Sequence, residues 1–305
     1  MNGVNAIDAA ADVLGNIARP GVPLGPLTTY RVGGAAALFV DADSIDALRA
    51  VARARDVSGL PVLVVGRGSN LLVADRGFPG IAVSLGPWCA TIEVDGSHLR
   101  AGSAVSLPVL ARRSAAAGLT GLEWAVGVPG SVGGGVRMNA GGHGGDIAHT
   151  LVGVRVFDLV SGEDKEVTAA SLQLAFRRSA LGDADVVLAA TFGLAPGDRD
   201  ESEAVIDEIV RWRRENQPGG QNAGSVFVNP LPDSAGRIID DLGLRGLRVG
   251  TAFVSDKHAN FIQADEGGSS DDVHALMVEL RRRVHEATGI ALRSEIRLIG
   301  FEEEP

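Results

Sequence analysis

Cysteine is almost absent, with Cys89 the only one in 305 residues. It has no partner for a disulfide within the chain and excludes a cysteine-based zinc site. Read as a small apolar residue, it belongs in the core. Aromatic residues make up 4%, too few for the stacking surfaces that hold single-stranded nucleic acid. Basic side chains are outnumbered 28 to 38, and the net charge of −10 opposes general binding to a phosphate backbone. A local basic pocket for a small phosphorylated ligand stays open. No run approaches the ~18 apolar residues of a membrane-spanning helix. Met1 to Gly15 carries Asp8 and Asp12 and has neither a basic start nor an apolar stretch, so no secretory leader is expected. These absences predict a cytoplasmic protein without nucleic-acid, membrane or metal partners.

Glycine, by contrast, is abundant: 41 of 305 residues, about twice the ~7% of ordinary proteins. Many loops therefore need unusual backbone geometry. The length suggests about two domains.

Ser44 is positioned to cap a helix carrying Ile45, Leu48, Val51 and Ala52 on one face. Pro61 to Val65 reads as a buried strand, and Ser106 opens a second helix that Gly118 closes. Further on, Val152, Val154 and Val156 alternate as in a strand, Ser161 to Asp164 turn the chain, and Val186 to Phe192 form another strand. A charged helix with Val205, Ile209 and Trp212 inward must stop before Pro218. The Pro218–Gly224 stretch is a candidate boundary. Val273, Leu276, Met277, Leu280 and Val284 make a helical packing stripe ended by Gly289. The helix's His274 and His285 are expected in solvent. Ile290 to Ile299 alternates, with Leu292, Ile296 and Leu298 on one face. These patterns give an α+β fold with mixed sheets.

Two glycine segments bear on chemistry. Gly66-Arg67-Gly68-Ser69-Asn70-Leu71 follows the strand at Pro61–Val65. Its glycines allow successive N–H groups to converge on an anion, with Ser69 and Asn70 as further donors. Taken alone, so short a pattern is better explained as an ordinary tight turn. It is neither a Walker loop nor a Rossmann fingerprint. The segment from Gly127 to Gly145 packs nine glycines into nineteen residues, yet Val128, Val132, Val136 and Met138 argue against a linker. Backbone packed on a large flat or phosphorylated ligand accounts for it. Together the segments suggest one dinucleotide-sized cofactor.

With Thr29-Tyr30-Arg31-Val32-Gly33-Gly34, these segments resemble the FAD-binding half of the UDP-N-acetylmuramate dehydrogenase family, also called UDP-N-acetylenolpyruvoylglucosamine reductase or MurB. The resemblance continues through Phe176-Arg177-Arg178-Ser179, Ala223 to Pro230, Gly246 to Gly250, Lys257-His258-Ala259-Asn260-Phe261 and Leu292 to Glu295. It runs in family order from about Pro23 to Ile299.

The resemblance implies an FAD-binding fold of two α+β subdomains (vanillyl-alcohol-oxidase/PCMH-like) with a C-terminal α+β substrate domain. On this chain these are 18–87, then 88–214 completed by 294–303, and 215–293 for substrate. It implies NADPH reduction of non-covalent FAD, then transfer from flavin N5 to C3 of UDP-N-acetylglucosamine enolpyruvate, with protonation at C2. The product is UDP-N-acetylmuramate, a peptidoglycan precursor, and the protein is expected to act as a monomer. Arg177 matches the arginine that stabilises the enolate-like state, Ser225 the proton donor and Glu295 the glutamate assisting at the carboxylate. Gly66, Gly68, Ser69, Asn70, Leu71, Pro129, Gly130, Ser131, Gly133, Gly134 and Asn139 match the cofactor loops, while Asn229, His258 and Asn260 match substrate contacts.

There are departures. Phe176 and His143 stand where the family usually has tyrosine, and Val228 and Asn216 where lysine is common. The interval of 48 residues from Arg177 to Ser225 fits the shorter branch, without an additional tyrosine loop. Other oxidoreductases of this flavin fold, and a non-catalytic flavin-binding module, are the competing readings. The first commonly attach flavin through a histidine beside the first glycine loop, which Ser69-Asn70 does not supply. Arg177, Ser225 and Glu295 together argue against the second.

Overall fold

The computed structural model describes residues 3–302. The chain divides into two compact units: Met1–Pro20, Ala37–Arg67 and Pro79–Arg213 form one, and Gly21–Ala36, Gly68–Phe78 and Arg214–Pro305 the other. The division falls a few residues before the Pro218–Gly224 stretch. It differs from the three-part reading at 21–36, 68–78 and 294–303, which lie with the second unit. There the strand Arg297–Ile299 pairs in parallel with Leu71–Val73.

The first unit is built around two sheets. One orders its strands Ala18–Pro23, Ala35–Ala42, Phe78–Leu85 and Val62–Val64. The helix Ile45–Ser58 lies beside it in sequence, capped as expected by Ser44 Oγ, which accepts from Ala47 N at 3.2 Å. The other has five strands, in the order Glu163–Thr168, Leu151–Asp158, Asp185–Gly193, His98–Gly102, Ile92–Asp95. Its central strands are covered on both faces. Val187, Ala190 and Phe192 join one core with Val154 and Val156, while Val186 and Leu188 join another with Phe157. Burial on both faces explains the apolar run Val186 to Phe192.

The alternation of Val152, Val154 and Val156 is only partly kept. Val154 and Val156 are buried, but Val152 is 48% exposed. A register shift between Leu151 and Gly153 turns Leu151 inward, as a bulge reverses the face order. The charged helix Arg199–Asn216 also differs, burying Ser202, Ile206 and Ile209 and leaving Val205 and Trp212 exposed. Ser202 Oγ donates to Glu123 Oε1 at 2.7 Å, so a polar pair occupies the inward face that apolar spacing alone assigns to Val205. Ser106 stands at the head of the helix Leu107–Ala116, but its side chain makes no capping bond. Cys89 is buried.

The second unit holds a three-stranded antiparallel sheet, Arg248–Val249, Ala252–Val254 and Ile262–Ala264, and the helix Ser270–Thr288. The expected stripe is all core, and Gly289 ends the helix at φ 73°. His285 is exposed, but His274 is half-buried and stacks on Phe301 with ring centroids 4.4 Å apart. Only Arg297–Ile299 of the alternating 290–299 segment is strand, although Leu292 and Ile296 are buried as expected. No helix among the described residues is long and apolar enough to cross a membrane.

Asp75 anchors the start of the Ser270–Thr288 helix. Its carboxylate accepts from Ser270 N at 3.1 Å, Ser270 Oγ at 2.7 Å and Asp271 N at 3.4 Å. Partial burial pushes its pKa up, but the hydrogen bonds from Ser269, Ser270 and Asp271 outweigh this and hold it below the ordinary aspartate value. Its stabilisation is therefore present above the unfolded-state pKa and lost as pH falls through the lowered folded-state pKa. Asp75→Ala is expected to cost about 1 kcal/mol near neutral pH. Denaturant midpoints of variant and wild type should converge below the carboxylate range; a constant gap down to strongly acidic pH would contradict this.

Candidate active site

The strand Val62–Val64 delivers the chain into the first glycine loop. Gly68 sits at φ +59°, and a Cβ there would lie 2.4 Å from Leu27 O and 2.5 Å from Thr28 Cα, so only glycine fits. Gly68 O in turn accepts from Thr29 N at 3.3 Å and Leu71 N at 3.4 Å. Among the described residues, the N–H groups of Gly66, Arg67, Gly68, Ser69 and Asn70 donate to no protein acceptor. Five successive unclaimed donors in a glycine loop suit an anion.

The second glycine segment meets the first. A Cβ on Gly66 would stand 2.6 Å from Ser131 Oγ, which caps the short helix Val132–Arg137 by accepting from Gly134 N at 3.4 Å. Much of this segment's glycine serves the protein's own packing rather than a ligand. Gly133 closes on Ser103, and Gly145 on the Trp124 ring. The amides of Val132 and Gly133 are bonded to Val105 O at 2.8 Å and Ser103 O at 2.9 Å, so these two N–H groups already have protein acceptors. The N–H groups of Gly130 and Ser131 donate to no protein acceptor among the described residues. Adjoining loops with this donor set fit an anionic, dinucleotide-sized group.

Arg177 occupies the tip of a tight turn, between Ala175 and Arg178, which exchange two backbone hydrogen bonds of 2.9 and 3.0 Å. It adopts φ 53°, a conformation side chains other than glycine rarely take. Its guanidinium donates to Gly141 O at 3.1 Å and lies 5.3 Å from the Phe176 ring centroid, with Phe176 itself 68% exposed. His143, also at positive φ, meets Trp212 edge-on with centroids 5.1 Å apart. Burial, then the Arg213 charge, pushes its pKa down.

Ser225 and Glu295 lie on paired segments of the second unit. An antiparallel bridge joins Phe227 to Ser294, while Glu295 N donates to Val226 O at 2.8 Å and Val228 N to Arg293 O at 2.9 Å. The pairing leaves Ser225 one position from the residue opposite Glu295. Glu295 O accepts from Asn70 Nδ2 at 3.3 Å, and Arg297 N donates to Asn70 O at 2.9 Å. Ser225 is half-buried, and its hydroxyl bonds no group among the described residues.

The three expected substrate contacts are used differently. Asn260 is 3% exposed, and its carboxamide grips one residue, accepting from Phe227 N at 3.0 Å and donating to Phe227 O at 2.8 Å. It holds the strand beside Ser225. Asn229, exposed, accepts at 3.1 Å from Ala235 N, the first amide of the helix Ala235–Asp241, which Ser234 caps. His258 Nδ1 accepts from Asn260 N at 3.2 Å, which needs a neutral ring protonated on Nε2. Burial and then the Arg245 charge push its pKa down accordingly.

Comparison with known proteins decides the family. Residues 216–299 match the family model of the C-terminal domain of UDP-N-acetylenolpyruvoylglucosamine reductase, and residues 36–168 that of an FAD binding domain. The reductase of that name from Methylorubrum extorquens is 42% identical over 305 residues, covering 99% of this chain and 98% of the relative. Its namesake from a Synechococcus species is 42% identical over 287 residues, covering 92% and 93%. The chain belongs to the MurB family. A crystal structure of MurB from Thermus caldophilus has the same fold, with TM-score 0.81 at 35% identity, over 92% of this chain and 99% of that one. Within this MurB-family chain, both glycine loops and Asn139 fall inside the FAD-binding match. Ser225, Asn229, His258, Asn260 and Glu295 fall inside the C-terminal match. Arg177 lies between the two.

Proposed function

We propose that this chain is an FAD-dependent oxidoreductase that reduces UDP-N-acetylglucosamine enolpyruvate to UDP-N-acetylmuramate at the expense of NADPH, a step in peptidoglycan precursor synthesis. When bound, FAD carries reducing equivalents from NADPH to C3 of the enolpyruvyl group. Residues 18–87 and 88–214 supply the FAD-binding subdomains and 215–293 the substrate-binding part. The amides of Gly66–Asn70, with those of Gly130 and Ser131, hold the cofactor's phosphates without a covalent bond. Leu71, Pro129, Gly133 and Gly134 shape the loops around them.

Addition at C3 of an enol ether builds negative charge on C2 and its carboxylate. The permanent charge of Arg177 opposes that build-up most effectively in a desolvated site. Ser225 donates its hydroxyl proton to C2, and Glu295 assists at the carboxylate. A serine hydroxyl is a weak acid, so it serves only when held close to a strongly basic carbon and replenished through water. Asn260 keeps the Ser225 segment in place, and His258 offers its Nε2 proton toward substrate.

The observation carrying this reading is the link between cofactor loop and catalytic pair: Asn70 bonds Glu295 O, and Glu295 N bonds Val226 O beside Ser225. The same reading makes the protein a cytoplasmic monomer acting on small ligands, in keeping with a net charge of −10. Incubation with NADPH and the enolpyruvyl substrate should yield a product heavier by two hydrogens. Acid precipitation should leave yellow flavin in the supernatant. Unchanged substrate mass would defeat the activity, and flavin in the pellet the non-covalent binding.

A further inference from the structure

We infer that Asn139 is a positioning residue for Arg177, acting through the hairpin that carries it rather than as a cofactor ligand. Asn139 is 4% exposed and sits at φ 40°, in the left-handed region that asparagine tolerates better than most residues. Its carboxamide has two N–H donors and one oxygen, and all are engaged by the protein. Nδ2 donates to Ala175 O at 3.1 Å and to Asp146 Oδ2 at 3.4 Å. Oδ1 accepts from Ala148 N at 3.0 Å. One side chain thus ties the Gly141–Asp146 hairpin to the turn bearing Arg177.

The tie answers a physical need. Arg177 at φ 53° is strained, and a strained residue persists only where its surroundings over-determine it. Bonds between the two segments include Ser179 Oγ to Arg137 O at 2.7 Å, Asn139 Nδ2 to Ala175 O, and Arg177 Nη2 to Gly141 O at 3.1 Å. The Asn139 side chain is bonded to both hairpins at once. Without it, Ala175 O keeps only the Arg178 N–H as donor, the turn can relax, and the guanidinium leaves its seat on Gly141. Misplacing a charge-stabilising group by about 1 Å costs on the order of 10²-fold in rate.

This inference rests on the function proposed above, and the test separates the two. Asn139→Gly keeps the positive φ and removes the bonds. Stopped-flow measurement should show NADPH reducing its flavin within about three-fold of wild type. Reoxidation by the enolpyruvyl substrate should slow roughly 10- to 100-fold. In an Arg177→Ala background the same substitution should slow reoxidation less than about three-fold further. Hydrogen exchange at the Arg178 amide, bonded to Ala175 O, should accelerate in the single variant. Should Asn139→Gly fail to fold, Asn139→Asp decides: it keeps the acceptor for Ala148 N and loses both donors. Fully multiplicative losses in the double variant overturn the inference, as does flavin reduction slowed equally or unchanged reoxidation. A wild type that turns over no enolpyruvyl substrate overturns the functional reading itself.

Discussion

Ser225→Ala is expected to reduce its flavin with NADPH at close to the wild-type rate. Reoxidation by UDP-N-acetylglucosamine enolpyruvate should be about 10²- to 10⁴-fold slower, the range for removing a general acid. The split follows from the reaction, since the first half needs no proton at C2 and the second does. The structure makes the variant informative. The Ser225 hydroxyl bonds nothing among the described residues, so its removal leaves no buried group unpaired. The strand beside it stays held by Asn260 and the Phe227–Ser294 bridge. Anaerobic stopped-flow absorbance reads each half separately. Equal slowing of both halves would indicate a structural role, and wild-type reoxidation would remove Ser225 from the chemistry.

Arg177→Ala should slow reoxidation by about 10²- to 10³-fold, the usual cost of losing one preorganised charge stabiliser. Arg177→Lys should recover part of this, because lysine restores the charge but not the planar fork that reaches Gly141 O. The alanine variant also relieves no strain, since alanine at positive φ is as unfavourable as arginine. Its folded stability should therefore change little compared with its rate. A proportionate loss of thermal stability and of flavin reduction, with reoxidation affected no more than either, would refute the assignment.

Much of the fold was legible because it rests on local periodicity. The stripe Val273 to Val284, the stop at Gly289 and the cap at Ser44 are set by residues within a turn or two of one another. Long-range effects were not. The pairing of Arg297–Ile299 with Leu71–Val73 joins segments far apart in sequence. The bulge that exposes Val152 comes from the neighbouring strand's register. Val205 and Trp212 lost the inward face of their helix to Ser202, whose partner Glu123 lies 79 positions away.

At the site, Arg177, Ser225 and Glu295 were readable only through family motifs, because an arginine beside an arginine or a serine after a glycine has bland explanations. The asparagines show the limit most clearly. A carboxamide imitates a peptide group, so the same residue serves a ligand or a neighbouring backbone equally well. Asn260 grips Phe227 and Asn139 grips Ala175, and no spacing rule distinguishes that from a cofactor contact. The glycines of 127–145 mislead similarly, since Gly133 and Gly145 make room for Ser103 and Trp124.

The most direct test of the account is the anaerobic flavin spectrum of the purified wild-type protein. NADPH should bleach the oxidised flavin bands, and UDP-N-acetylglucosamine enolpyruvate added afterwards should restore them stoichiometrically while UDP-N-acetylmuramate forms. Flavin that NADPH bleaches but the enolpyruvyl substrate leaves reduced would contradict the account.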